Sequence, residues 1–352
     1  MKSHNILYSR GNLPALTSLN RHLKSKQYLG SRFFILGDSN TIDHCLPLLV
    51  SEVGALQESE FFEVESGEEC KDLAVAENLW LGLLESGADR NAVIINLGGG
   101  TVCDLGGFVT AAYKRGIRYI NVPTTLLAMV DAAIGGKTAI NVGGIKNQAG
   151  FFHKPQCVCI EPEFLQTLPQ RELLSGTFEM VKTFAVADKD LYTQFFGKWA
   201  KNCSFDEEMI YACAKIKDGI TTRDFKDTGE RKKLNFGHTF GHAIESAMLK
   251  QGEKALSHGE AVGLGMVCAM YLSTKKTGLP EKVYEDFAQK VRSLLGKQHF
   301  SKKITDTIIY NMCADKKNAG GEIRCVLLKD IGEAVYDIAV SEDEIRDALG
   351  AV

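Results

Sequence analysis

In the first half of the chain, apolar residues come in short runs separated by stretches with helical spacing. Residues 32–37, Arg-Phe-Phe-Ile-Leu-Gly, run into Gly37-Asp38-Ser39-Asn40 and predict a buried strand followed by a turn. Ile42, Cys45, Leu46, Leu49, Val50 and Val53 then recur at helical intervals, predicting a helix over 41–58. Residues 61–64 predict a second strand, and Glu68 opens a helical stretch to about Glu85. A third strand over 91–97 runs directly into Gly98-Gly99-Gly100. A fourth, 118–122, is stopped by Pro123, with Thr124 and Thr125 beyond it and a helix expected from near Leu126. Residues 157–160 close this strand-rich half. Strands alternating with helices predict an α/β domain built on a parallel sheet.

From Glu163 onward the pattern turns helical, which places a domain boundary near residue 162. The expected division is an α/β domain over 1–162 and a mainly α-helical domain over 163–352, and 352 residues suffice for two domains. Residues 261–276 and 281–295 read as amphipathic packing helices. Asp315-Lys316-Lys317-Asn318 reads as a polar loop between the 304–309 segment and a strand-like 324–328. There are no internal repeats or low-complexity segments.

Composition acts mainly by exclusion. An apolar share of 45% and a charged share of 24% are those of a soluble globular protein. A net charge of −3 gives no reason to expect nucleic acid or an anionic membrane as partner. No apolar run reaches membrane-spanning length, and residues 1–5 do not open a signal peptide, so a cytoplasmic protein is expected. The ten cysteines are scattered, with Cys157 and Cys159 the one close pair, and read as buried reduced thiols.

The candidate chemistry lies in a few clusters. Gly98-Gly99-Gly100 after a strand lets backbone N–H groups approach a phosphate, although it is not a G-x-G-x-x-G fingerprint and a tight turn needs the same residues. Asp104 is placed either to cap the following helix or to meet a ligand. Gly135-Gly136-Lys137-Thr138 looks like the end of a P-loop, but Asp131 stands where the first glycine is required, which disfavours nucleotide triphosphates. Lys137, Lys146 and Asn147 in a glycine-rich loop suit an anionic substrate. Glu179 and Lys182 share a helix face and, alone, read as a surface ion pair. His238 and His242 are four apart and His258 opens the next expected helix. Converging imidazoles suit a catalytic Zn²⁺ site, and neighbouring histidines without a metal are the plain alternative. No glutamate directly follows His238, so a zinc protease helix is not indicated.

Taken in order, these motifs resemble the dehydroquinate synthases of the sugar phosphate cyclase family. They are GGGTVCDLGGF (98–108), YKRG (113–116), PTTLLAMVDAAIGGKT (123–138), KN (146–147), EMVK (179–182), LNFGHTFGHAIE (234–245) and HGEA (258–261). The resemblance covers nearly the whole chain. It implies a Rossmann-like NAD site in the first domain, a divalent metal (Zn or Co) in the second, and substrate in the cleft between them. It also implies a reaction of the shikimate pathway, the route to chorismate and aromatic amino acids. There 3-deoxy-D-arabino-heptulosonate 7-phosphate becomes 3-dehydroquinate and phosphate, by transient NAD oxidation, phosphate elimination, reduction, ring opening and aldol cyclisation. The family's metal ligands correspond to Glu179, His238 and His258, while His242 faces the substrate phosphate. NAD contacts carry over to Asp38, Asn40, Glu68, Lys71, Gly99, Gly100, Asp104, Thr124, Thr125 and Thr167. Lys182, Asp131, Lys137 and His242 carry over as catalytic groups. Lys146, Asn147, Lys217, Arg231, Asn235 and one of Lys316 and Lys317 carry over to the substrate. Arg115 matches a position that reaches a neighbouring subunit's phosphate site, implying a homodimer.

Two rival readings remain at this level. Other sugar phosphate cyclases, of the inosose or valiolone type, act on substrates without the carboxylate that Lys217 and Arg231 would clamp. An iron-type NAD-dependent alcohol dehydrogenase would transfer hydride once, with net NADH. Val142-Gly-Gly-Ile145 and Thr177-Phe178 depart from the family's usual residues and bear on loop shape and metal-helix packing.

Overall fold

The computed structural model describes residues 5–9, 13–199, 206–249, 255–317 and 322–352, side chains of 314–317 excepted. They form two compact units. Met1–Pro169 with Ile210–Lys226 makes unit 1, and Gln170–Met209 with Asp227–Val352 makes unit 2. The expected division near residue 162 gave everything after it to the second domain. Contacts instead divide the chain after Pro169 and return Ile210–Lys226 to the first unit.

Unit 1 runs β1 (Ile6–Tyr8), α1 (Ala15–Leu23), β2 (Phe33–Asp38), α2 (Ser39–His44), α3 (Leu46–Glu52), β3 (Glu60–Val64), α4 (Leu73–Glu85), β4 (Val93–Gly98), α5 (Gly100–Ala112), β5 (Arg118–Pro123), β6 (Lys137–Val142), β7 (Ile145–Phe152) and β8 (Val158–Ile160). The sheet is parallel, as the alternation predicts, in the order β1-β8-β5-β4-β2-β3. All six residues of β4 are buried, the pattern of a parallel strand covered on both faces. Phe34, Leu36, Ile94 and Tyr119 form one apolar cluster with Ala76, Leu79 and Leu83 of α4 and Val102, Leu105 and Val109 of α5. From β2 the chain moves outward to β3, but from β4 it moves the other way to β5 and β8. The direction reverses between β2 and β4, where open parallel sheets bind ligands at their carboxyl ends.

Three expectations change. The helix over 41–58 is two, because Pro47 begins a new helix at α3 and Cys45 leaves helical geometry at φ −123°. The stretch from Glu68 begins as a short 3₁₀ turn, and Asp72 then caps α4 by accepting from Ala74 N at 2.8 Å. The glycine-rich loop bearing Lys137, Lys146 and Asn147 is a hairpin. Val142 pairs with Ile145 across Gly143 and Gly144, whose φ values of 60° and 78° suit a two-residue turn.

Helix α5 lies close on β4 because position 106 has no side chain. A Cβ there would sit 1.9 Å from Asn96 Oδ1, whose amide donates to Asn121 Oδ1 at 2.9 Å. Gly106→Ala is therefore expected to cost about 1–3 kcal/mol of stability, as overpacking does. A denaturant midpoint measures it, and an unchanged midpoint would show that Asn96 can move aside.

Unit 2 contains α6 (Gln170–Ala187) and α7 (Lys189–Trp199), while α8 (Glu207–Arg223) lies in unit 1 from Ile210 on. It continues with α9 (His238–Met248), α10 (His258–Lys276), α11 (Glu281–Leu295), α12 (Lys302–Lys317), the antiparallel pair β9 (Ile323–Asp330) and β10 (Glu333–Val340), and α13 (Glu342–Leu349). Helix α11 is amphipathic as expected, burying Phe287, Ala288 and Val291. Helix α10 is not: it is buried nearly all round, from Gly259 to Ser273, because other helices pack on several sides of it. Helix α12 carries on through Lys317, so Asp315, Lys316 and Lys317 are helical rather than loop, while Asn318 lies outside the described residues.

Eight cysteines, including Cys157 and Cys159, are buried and free of disulfides, as expected of reduced thiols.

Candidate active site

Unit 1 gathers its candidates at the carboxyl ends of adjacent strands. Asp38 ends β2, Gly99 and Gly100 follow β4, and Thr124 and Thr125 follow β5. Asp38 also caps α2, accepting from Thr41 N at 3.0 Å, with Asn40 exposed beside it. Gly99 is the N-cap of α5, and no side chain caps that helix. A Cβ on Gly99 would meet Thr125 at 3.1 Å and one on Gly100 would meet Ala132 at 3.0 Å, so bare backbone is what fits there. Uncapped N–H groups at a helix start, flanked by glycines, suit a pyrophosphate. Thr125 Oγ1 accepts from Ala128 N at 3.2 Å and so caps the helical turn that follows it. Thr167 is the last residue of a 3₁₀ turn over Pro162–Thr167.

Asp104 does not cap α5; it lies one turn inside the helix. Lys71, 3% exposed, donates to Asp104 Oδ2 at 2.8 Å and to Asn147 Oδ1 at 2.6 Å, and lies 3.6 Å from Glu68 Oε1. Asn147, held at φ 57°, donates its N–H to Asn141 Oδ1 at 2.9 Å, and Asn141 in turn donates to Glu68 Oε1 at 3.1 Å. Four expected site residues (Glu68, Lys71, Asp104 and Asn147) thus form one polar network around a buried ammonium. Lys137 and Lys146 are exposed on the hairpin strands.

Asp131 falls in a single π turn, Ala128–Ala132, an irregularity common at functional sites. Its Oδ1 and backbone oxygen each lie 2.7 Å from Lys217 Nζ, which reaches them from α8. The pair fixes an ammonium that is 6% exposed. Arg115 belongs to a turn in which Lys114 and Arg115 take φ of 49° and 68°, left-handed values that non-glycine residues rarely adopt.

Unit 2 holds the histidines. Gly237, at φ 77°, turns the chain into α9, whose first residue is His238, so His238 and His242 share a face one turn apart. His258 is the first residue of α10, behind the N-cap Ser257 and its capping-box partner Glu260. The nearest ligand atoms of the three histidines lie within 4.8 Å of one another. Glu179, on α6, points at the same place. Its Oε1 is 3.5 Å from His238 Nε2 and 3.4 Å from His258 Nε2. Lys182 Nζ lies 2.5 Å from Glu179 Oε2, and both side chains are 1% exposed. The Glu-x-x-Lys pair is therefore no surface ion pair. It sits in the core of unit 2.

Two docking contacts set α10 against α6. Arg171 Nη2 lies 2.6 Å from Glu260 Oε2, and Gly259 N donates to Ser175 Oγ at 3.0 Å. A Cβ on Gly259 would be 2.1 Å from the Ser175 carbonyl oxygen, so only glycine lets the helices approach this closely. Glu260 and Arg171 carried no role in the sequence reading. The capping-box spacing of Ser257 and Glu260 was the available signal.

The electrostatics suit a cation. Burial disfavours the charged form of His238 and brings it down to about 3, leaving a neutral imidazole. Burial opposes charge on His258 too, but contacts with Glu179 and Glu245 outweigh it and push it up to about 10. Burial would raise Glu179, yet the Lys182 ammonium and the two imidazoles hold it well below the usual carboxylate range. Neither Glu179 oxygen has a hydrogen bond of acceptable geometry. A buried ionised carboxylate so placed, with two Nε2 atoms converging on it, is a donor set for a divalent metal. His242 is the exposed member of the histidine group. Arg231, buried, and Asn235, exposed, lie on a 3₁₀ turn over Glu230–Asn235 just before α9. The side chains of Lys316 and Lys317 fall outside the described residues.

Comparison with known proteins gives one picture. Residues 61–175 match the model for the 3-dehydroquinate synthase N-terminal region, and residues 176–318 match its C-terminal counterpart. A 3-dehydroquinate synthase from Parabacteroides distasonis is 39% identical over 336 residues, covering 95% of this chain and 94% of its own. Among solved structures, the 2-epi-5-epi-valiolone synthase of Streptomyces hygroscopicus, with NAD+ and Zn2+ bound, superposes with a TM-score of 0.84. It is 25% identical, over 99% of this chain and 96% of its own. A 2-deoxy-scyllo-inosose synthase holding carbaglucose-6-phosphate, NAD+ and Co2+ has the same fold, at 23% identity and a TM-score of 0.84, over 99% of this chain and 98% of its own.

Proposed function

Because the chain belongs to the 3-dehydroquinate synthase family, we propose that it converts the seven-carbon sugar acid phosphate to 3-dehydroquinate and phosphate. NAD and a divalent metal are its cofactors. The observation that carries this reading is the convergence of Glu179, His238 and His258 beside Lys182 in unit 2. Unit 1 adds an uncapped helix start at the sheet's reversal point.

When bound, the metal supplies Lewis acidity to substrate hydroxyls, and NAD supplies a hydride acceptor regenerated within each turnover. The protein's own side chains position and stabilise charge. Glu179, His238 and His258 hold the metal, and the Lys182 ammonium stabilises negative charge on the oxygen that loses its proton. Lys137, Lys146, Asn147, Lys217, Arg231, Asn235 and His242 hold the carboxylate and phosphate, which together demand several cations. Asp131 keeps the Lys217 ammonium in place before substrate arrives. Asp38, Asn40, Glu68, Lys71, Gly99, Gly100, Asp104, Thr124, Thr125 and Thr167 form the NAD-binding set. Lys316 or Lys317 completes the substrate set. The enzyme works as a cytoplasmic homodimer in which Arg115, on its left-handed turn, serves the neighbouring subunit's phosphate site.

The test supplies the seven-carbon phosphate with Zn²⁺ or Co²⁺ and NAD far below substrate concentration. Inorganic phosphate should be released in many-fold excess over NAD, with no lasting rise in NADH absorbance. Net NADH would indicate an alcohol dehydrogenase. Phosphate release from a hexose phosphate without the carboxylate, but not from the sugar acid, would indicate an inosose-type cyclase.

A further inference from the structure

The mechanism above leaves Glu245 without a role, although it is 8% exposed and ionisable. It lies on α9 three residues after His242 and seven after His238, so all three fall on one stripe of the helix. Its Oε2 is 3.0 Å from His258 Nδ1 on the next helix. His258 presents its other ring nitrogen, Nε2, to Glu179 Oε1 at 3.4 Å.

We propose that Glu245 is a positioning residue: it accepts the Nδ1 hydrogen of His258 and so fixes the tautomer and ring orientation that turn Nε2 toward the metal. This rests on the assignment of His258 as a ligand. A neutral imidazole has one donor nitrogen and one acceptor nitrogen. When a cation takes the place of the Nε2 proton, a carboxylate at Nδ1 keeps that nitrogen the donor and leaves the Nε2 lone pair to the cation. Carboxylates behind ligating histidines raise ligand basicity and hold the ring, and losing one typically weakens metal affinity about 10–100-fold. Without Glu245, His258 is a first-turn residue with 34% side-chain exposure and can take either tautomer. Helix α9 thus contributes one ligand directly, His238, and sets the direction of another.

The test compares the wild-type chain with Glu245→Ala, Glu245→Gln and His258→Ala. Affinity for Co²⁺ is measured by chelator competition, alongside the visible spectrum of the bound ion. The wild type should bind one Co²⁺, and Glu245→Ala should bind it about 10–100-fold more weakly with an altered spectrum. Glu245→Gln keeps a neutral acceptor of the same size and should lose affinity by a smaller factor. If Glu245→Ala does not fold, the Gln variant, nearly isosteric, decides the matter: wild-type affinity and spectrum there overturn the proposal. A merely structural role would lower the melting temperature of either variant and leave affinity and spectrum unchanged. Failure of the wild type to bind Co²⁺, or full binding by His258→Ala, would instead overturn the metal assignment itself.

Discussion

His258→Ala should leave a folded chain with no bound divalent cation and no measurable turnover, whereas His242→Ala should keep the cation and lose rate. Both imidazoles belong to the same close group, so proximity alone does not separate them. The separation comes from Glu179. It is 1% exposed and ionised, with two oxygens lacking hydrogen bonds, and its short imidazole contacts are to His238 and His258. A ligand set of His238, His242 and His258 would leave both Glu179 oxygens without a hydrogen bond, with the Lys182 ammonium as the cation facing them. A set of Glu179, His238 and His258 neutralises it and leaves the exposed His242 for an anionic group of the substrate. Metal content after dialysis and phosphate-release rates read the two variants. An empty site in His242→Ala would show that the three-histidine set is the true one.

Lys182→Met is expected to reduce kcat by about 10²–10³, the usual cost of removing one preorganised group from developing charge. The same substitution removes the ammonium 2.5 Å from Glu179. Breaking a buried ion pair typically costs about 3–5 kcal/mol, because the remaining charge is left without compensation. That loss should be large in metal-free protein and small at saturating Zn²⁺, since a bound dication takes over compensation of Glu179. Melting temperatures with and without metal, set beside rates at saturating metal, distinguish the roles. If the variant at saturating Zn²⁺ turns over like the wild type, Lys182 is a structural counter-ion only.

Where function depends on local spacing, the sequence was readable. His238 and His242 stand on one helix face and His258 opens the next helix because those relations are fixed within one or two turns. The strands β2, β3, β4, β5 and β8 were legible from apolar runs. Strand β1 was not, since three half-buried residues paired with Val158–Ile160 carry no pattern of their own. The hairpin β6–β7 was missed although Gly143-Gly144 between Val142 and Ile145 is a hairpin signal. The surrounding lysines and glycines read equally well as a glycine-rich loop for an anionic substrate. The burial of Glu179 and Lys182 could not be inferred from i,i+3 spacing, which is identical on a wet helix face. The environment of Lys71 is nonlocal: its partners Asp104 and Asn147 lie 33 and 76 positions away. The resemblance to a family supplied roles for such residues, while the physical reason for each emerges only from what surrounds it.

The donors converging with Glu179 come from α6, α9 and α10, and α6 is joined to α10 through Arg171 with Glu260 and Ser175 with Gly259. A cation held there ties together segments far apart in the chain and has no comparable site once they separate. Its binding energy therefore adds to the folding stability of unit 2, by about 2.7 kcal/mol at a free concentration one hundred times Kd. In a cell starved of the metal, unfolded unit 2 would be more often exposed to proteases, so scarcity would lower the amount of this enzyme as well as its occupancy.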